Sequence, residues 1–139
     1  LALGRPEEAF EMMGRALEAV AEGGAYAEAR ARLMQMLLIT GNVEAAARLL
    51  EISLPQVVAG GNELNLMQTC VMGTTILEVL RRRGIEAPAL ETPRGDAEAW
   101  MRAQVERLVP AFDRRNGNGF YGEHWQTARK LVEALSEGE

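Results

Sequence analysis

The sequence predicts an all-α fold, a right-handed stack of about three helical hairpins built from about six helices, and two observations carry that expectation. The first is one unit written twice. Residues 4–17 and 41–54 match in step at an offset of 37, and Gly23-Gly24 and Gly60-Gly61 keep the same offset. Glu7 falls on Glu44, Ala9 on Ala46 and Leu17 on Leu54, while Met13 falls on Leu50 and keeps its apolar character. A period in this range marks stacked hairpins, because one hairpin buries its apolar face only against its neighbours. The second is apolar residues at helical spacing, with charges displaced to the other side.

The first helix is expected over residues 6–21, with Pro6 preset for a first turn and Glu7 and Glu8 favourable at the positive end of the helix dipole. Ala9, Phe10, Met13, Ala16, Leu17 and Val20 form its stripe, and Gly23-Gly24 ends it. The second, 25–40, carries Tyr26, Ala29, Leu33 and Leu37 on one face. Met34, Met36, Leu38 and Ile39 make its last turns apolar nearly all round, which predicts burial on more than one side. Gly41 is placed to close this helix in the left-handed conformation, and Asn42 to cap the next. The third starts at Val43 and packs Ala46, Leu49, Leu50 and Leu54. Pro55 removes a backbone donor, so a kink or break is expected near Ser53. Gly60-Gly61-Asn62 is the next turn, with Asn62 as the cap.

The fourth helix, 63–83, is longer than its counterpart, and Gly73 within it marks the close approach of another backbone. Residues 85–95 hold Pro88 and Pro93 and read as a loop inserted between hairpin partners. The fifth helix, 96–112, spaces Ala97, Trp100, Met101, Val105, Leu108 and Phe112 as a stripe, with Pro110 bending or ending it. A turn cluster at 114–119 leads to a sixth helix, 122–136. It sets Trp125, Ala128, Leu131, Val132 and Leu135 inward and Arg129, Lys130 and Glu133 outward, as the terminal cap of the stack. The whole reads as a single repeat domain: a partial first repeat (1–22), a second (25–60), a divergent third (62–112) with the insertion at 85–95, and a capping helix (120–137). The opening Leu1-Ala2-Leu3-Gly4, without Met, reads as the tail of a helix belonging to a longer protein.

Leu3-Gly4-Arg5-Pro6-Glu7-Glu8-Ala9, followed by Met13 and Ala16-Leu17-Glu18, resembles the second helix of a tetratricopeptide repeat. Gly41-Asn42-Val43-Glu44-Ala45-Ala46 with Leu50 and Leu54 repeats it, after a first helix opening at Tyr26-Ala27-Glu28-Ala29-Arg30. The resemblance covers residues 1–61 and is partial beyond. Met34 stands where the family keeps a small residue, and Ser53 replaces the late Ala. The long spacing is similar to that of repeats in bacterial regulators and signalling proteins. In such stacks the first helix of each unit lines a concave groove. The resemblance therefore implies Glu28, Ala31 and Gln35 as groove residues and, one repeat later, Asn65, Gln68, Met72 and Thr75. Their amides suit an extended peptide. No Lys or Arg is in the set, which argues against a clamp for a terminal carboxylate.

Composition narrows the function classes. A formal charge of -5 lacks the clustered bases of nonspecific nucleic-acid binding, and Lys130 is the only lysine. Cys70, the one cysteine, cannot form an internal disulfide and fits a reducing compartment. No apolar run approaches the about 20 residues of a membrane helix, and no leader opens the chain, so a cytoplasmic protein is expected. His124 is the only histidine, so a paired-histidine metal motif is impossible; Cys70 is expected in the core and His124 at the surface.

The glycine-rich stretch 116–122 leads into a helix whose amides can face an anion. It lacks the Lys-Ser/Thr ending of a phosphate loop, and an ordinary connector is the plainer reading. Arg81-Arg82-Arg83 suits an acidic partner or, more simply, the negative end of its own helix. No acid/base pair stands out. The expected function is a non-catalytic, cofactor-free protein-binding or scaffold module, with a protein, a peptide or a neighbouring domain as partner. The alternatives are self-association through the first helix, giving a homodimer, and a small-molecule sensor with its pocket near Trp100, Phe120, Tyr121 and Trp125.

Overall fold

The computed structural model describes residues 27–136, and side chains from residue 29 onward. Within them the chain is all-helical: α1 Ala27–Ile39, α2 Val43–Gly60, α3 Glu63–Arg83, α4 Ala97–Asn116 and α5 Phe120–Ser136. These are the second to sixth expected helices. The expected first helix, its glycine end and Tyr26 lie outside the described residues, as does any contact made through that helix.

Turn chemistry sets the boundaries. Gly41, Gly61, Gly84 and Gly117 all adopt positive φ. After α1 the amide of Gly41 donates to Leu38 and that of Asn42 to Leu37, and the ends of α3 and α4 are closed by the same paired bonds. Such motifs satisfy the last carbonyls of a helix, and only glycine takes the left-handed residue without strain. Asn62 and Asp96 cap their helices, accepting from the amides of Asn65 (3.0 Å) and Ala99 (2.9 Å). Asn42 does not cap as expected. Its amide donates to Thr40 Oγ1 at 2.8 Å instead.

Neither internal proline breaks its helix. Both α2 and α4 continue past Pro55 and Pro110 to glycine ends. In each case the proline and the residue four before it, Glu51 or Glu106, are exposed, so water can satisfy the orphaned carbonyl.

α3 is the hub, packing against all four other helices. α1 packs on α2, α4 on α5, and α3 also receives α1 and α5 directly. Every residue from 69 to 80 is buried. The stretch 64–77 carries no charged side chain in a chain that is 25% charged, which suits a helix surrounded on all sides. Leu49, Leu50 and Leu54 of α2 and Met101 of α4 are completely buried. Each such side chain contributes about 2 kcal/mol by leaving water.

Gly73 explains how closely these helices pass. A Cβ there would lie 2.5 Å from Met101 Sδ and 3.0 Å from a Leu50 methyl. The approach is by side chains, not by the second backbone that the sequence suggested. On α1, Met34 and Leu38 are buried as expected, but Ala29, Met36 and Ile39 are exposed; among the described residues, the α2 and α3 neighbours cover only the other side of the helix. Residues 85–96 join α3 to α4 without regular structure; Ile85 and Leu90 from this connection pack on the core.

Candidate functional site

The α1, α3 and α5 helices, with Val109 of α4, enclose a cleft of about 150 Å³. α1 contributes Ala31, Arg32 and Gln35; α3 contributes Met67, Gln68, Val71 and Met72; α5 contributes Phe120, Tyr121 and His124. Four of the seven expected groove residues therefore meet here: Ala31, Gln35, Gln68 and Met72. Asn65 does not line the cleft; its backbone N–H donates to Asn62 Oδ1 at the start of α3. Thr75 is also outside it: the residue is fully buried, and its hydroxyl donates to the Val71 carbonyl at 2.8 Å. α5 packs on α3 and covers the surface that a shorter stack would leave open. The side chain of Glu28 lies outside the described residues.

The floor is apolar and the walls are mixed. Met67 and Met72 are almost wholly buried, whereas Phe120 is 62% exposed and is the most exposed large apolar side chain among the described residues. Phe120 meets Tyr121 edge to face at 5.0 Å, and Tyr121 meets Phe112 likewise at 6.0 Å. Of the aromatics expected to frame a pocket, Phe120 and Tyr121 do so; Trp100 and Trp125 do not. Gln68 Oε1 is sealed from water and has no hydrogen-bond partner. Ser53, Thr69 and Thr74 also leave buried hydroxyls unpaired, but none of these lines the cleft. Arg32 does line it, so the wall is not free of cations as the sequence suggested. His124 is half-buried rather than a surface residue, and burial lowers its pKa, which favours the neutral ring.

The N-terminus of α5 is not open to an external anion. Asp113, from the last turn of α4, accepts from the amides of Tyr121 (2.9 Å) and Gly122 (2.8 Å). A Cβ at Gly122 would lie 3.0 Å from Asp113 Oδ2, so the glycine makes room for this internal anion. The glycine-rich connector thus serves a cap within the chain.

The strongest electrostatics lie further along α5. Glu78, 3% exposed within α3, meets Arg82 at 2.8 Å, Arg102 of α4 at 3.1 Å and Arg129 of α5 at 2.5 Å. The Arg129 contact is one of charge, without hydrogen-bond alignment at Nη1. Arg129 and Arg102 also stack over the Trp125 ring, at 5.3 and 5.9 Å. Arg129 above all, then Arg82 and Arg102, hold the Glu78 carboxyl down at about 2 against the opposing cost of burial. Arg81 pairs with Glu98 and Arg82 with Glu133, at 3.1 and 3.0 Å. Arg83 donates twice to the Leu135 carbonyl near the end of α5. The arginine run is therefore occupied in fastening α4 and α5 to α3, and Arg129, expected to point outward, turns in. A lone carboxylate inside Ile76-Leu77-Glu78-Val79-Leu80, with Arg82 one turn on, was the available signal.

Cys70 is fully buried, and burial pushes its thiol up to about 12 despite the charge of Arg107. Among the described residues no group of three or more His, Cys, Asp or Glu side chains is placed to hold a metal ion, and no helix is long and apolar enough to cross a membrane. Two further clefts, about 440 and 330 Å³, border the 85–96 connection, and neither holds an expected site residue. Compared with known proteins, the chain matches no family model, no curated protein and no solved structure.

Proposed function

We infer that the chain is a non-catalytic protein-binding module of a larger cytoplasmic regulatory or scaffold protein, arranged as a tetratricopeptide-like stack. The packing order supports that arrangement. α1, α3 and α5 form one row, each on the next, while α2 and α4 bridge successive members of the row. This is the order expected when α1/α2 and α3/α4 are hairpins and α5 is the cap. The row supplies ten of the eleven cleft-lining residues, as the first helices of successive hairpins would.

The observation that carries the function is the mostly apolar cleft itself, which brings Ala31, Gln35, Gln68 and Met72 together beside the exposed ring of Phe120. An extended peptide brings N–H groups and apolar side chains together. Panning a random peptide display library on the 139-residue chain tests this. Peptides should be enriched that lose binding when Gln35 and Gln68 are both changed to Arg. No enrichment, or enrichment indifferent to that double change, would remove the assignment.

A further inference from the structure

We propose that the exposed face of α1, formed by Ala29, Arg32, Met36 and Ile39, is the docking surface for residues 6–21 of the same chain, laid against it as an antiparallel hairpin partner.

The face is a single stripe. Its four residues are all exposed and follow one another at spacings of three, four and three, which keeps them on one side of a helix. Met36 is 39% and Ile39 59% exposed, unusual openness for large apolar side chains. Ala29, Met36 and Ile39 line neither the α1–α3–α5 cleft nor the two clefts beside the 85–96 connection, so this is a separate surface.

The sequence before α1 carries the matching stripe. Phe10, Met13, Leu17 and Val20 repeat the spacings three, four and three. When the chain folds back about the junction of Gly24 and Ala25, the two stripes fall into register. Val20 meets Ala29, Leu17 the aliphatic stem of Arg32, Met13 meets Met36, and Phe10 meets Ile39. Each stripe is about 15 Å long at the helical rise of about 1.5 Å per residue, so neither overhangs the other. The glycine pair permits the turn, and residues 22–26 reach about 17 Å when extended, more than the roughly 8–10 Å between packed helices.

Charge and tethering favour this occupant over a second copy. Residues 29–39 of α1 hold Arg30 and Arg32 and no acid, whereas residues 6–22 hold Glu7, Glu8, Glu11, Glu18 and Glu22 against Arg15 alone. A segment joined by so short a connector meets α1 at an effective concentration in the millimolar range, and a second copy meets it only at the concentration of the protein. The apolar stripe of the expected first helix is thereby used within the chain.

Carbon-13 methyl labelling of methionine in the intact chain gives the test, with signals assigned by single Met→Leu changes. A nuclear Overhauser cross-peak should join the Met13 and Met36 methyls and persist on tenfold dilution. Met12, adjacent in sequence but off the stripe, should show none to Met36. In a mixture of labelled and unlabelled chains, an isotope-filtered experiment should show no contact to Met36 from another molecule. Met13→Ala and Met36→Ala should each lower the urea midpoint, and the double change should lower it by less than the two together. An absent Met13–Met36 cross-peak, one from Met12 instead, or fully additive midpoints would each overturn the hairpin. A cross-peak that appears between molecules or fades on dilution would give the face to a second copy and overturn it equally.

Discussion

Two regions of α5 hold it against α3, and they treat buried polarity in opposite ways. Around Glu78 a buried carboxylate is met by four arginines from three helices, Arg81 the most distant at 3.9 Å, and two of those guanidiniums also stack on Trp125. In the cleft, ten residues back along α3, the Gln68 carbonyl is buried and met by nothing. A satisfied group needs no further partner, and its removal harms the fold. An unsatisfied one costs the fold something, and its removal relieves it. The sign of a stability change therefore separates a structural site from a binding one.

The largest effect is expected where the difference is sharpest. Glu78→Gln leaves Arg82, Arg102 and Arg129 around a neutral group, and breaking a buried ion pair typically costs about 3–5 kcal/mol. Urea denaturation followed by far-ultraviolet circular dichroism measures it. A loss below about 1 kcal/mol would mean that packing on Trp125, rather than the carboxylate, fastens α5.

Acid should expose the same node in the unaltered chain. The folded pKa of Glu78, about 2, lies below its ordinary 4.5. Its contribution is therefore complete above pH 4.5 and is lost as pH falls toward 2. At most about 3 kcal/mol is at stake. Other carboxylates also titrate there, so the quantity to measure is the difference in unfolding free energy between the unaltered chain and Glu78→Gln. That difference should shrink across this window, and a pH-independent difference would refute the ion-pair account.

A smaller loss, about 1–2 kcal/mol, is expected for Asp113→Ala, which strips two amides at the start of α5 of their acceptor. This change bears on the cleft side, because Phe120 and Tyr121 leave with that turn. Hydrogen exchange should rise at Tyr121 and Gly122 and stay unchanged at residues near Val132.

The smallest effect carries the opposite sign. Gln68→Leu should leave stability unchanged or raise it by up to about 1 kcal/mol, since a buried acceptor without a donor disappears. A loss of more than about 1 kcal/mol would mean that Gln68 is a structural residue like Glu78, and the contrast between the two regions would collapse.

Local order was readable without coordinates. The fourth expected helix, 63–83, coincides with α3, and Gly41 takes the left-handed conformation anticipated for it, as Gly61 and Gly84 also do. The inward stripe of α5 was likewise legible: Ala128 and Val132 are buried, and Trp125, Leu131 and Leu135 pack against the core. Of the alternatives expected at Pro55 and Pro110, an outright break does not occur, because a proline's damage depends on whether water reaches the orphaned carbonyl, which no local pattern reports. Thr75 misled for a similar reason, since a repeat offset locates a face of a helix without telling what covers it, and this residue is fully buried.

By itself the sequence determined where helices start and stop and which stripe of each is apolar, because caps, left-handed glycines and helical periodicity act within a few residues. Tertiary structure decided the rest. It made α3 the hub, turned Arg129 inward to Glu78, gave the amides of α5 to Asp113 and left Gln68 without a donor. Each of these depends on which side chain from a distant helix arrives within hydrogen-bonding distance. Such contacts are chosen by the packing of whole helices, and no stretch of chain encodes them alone.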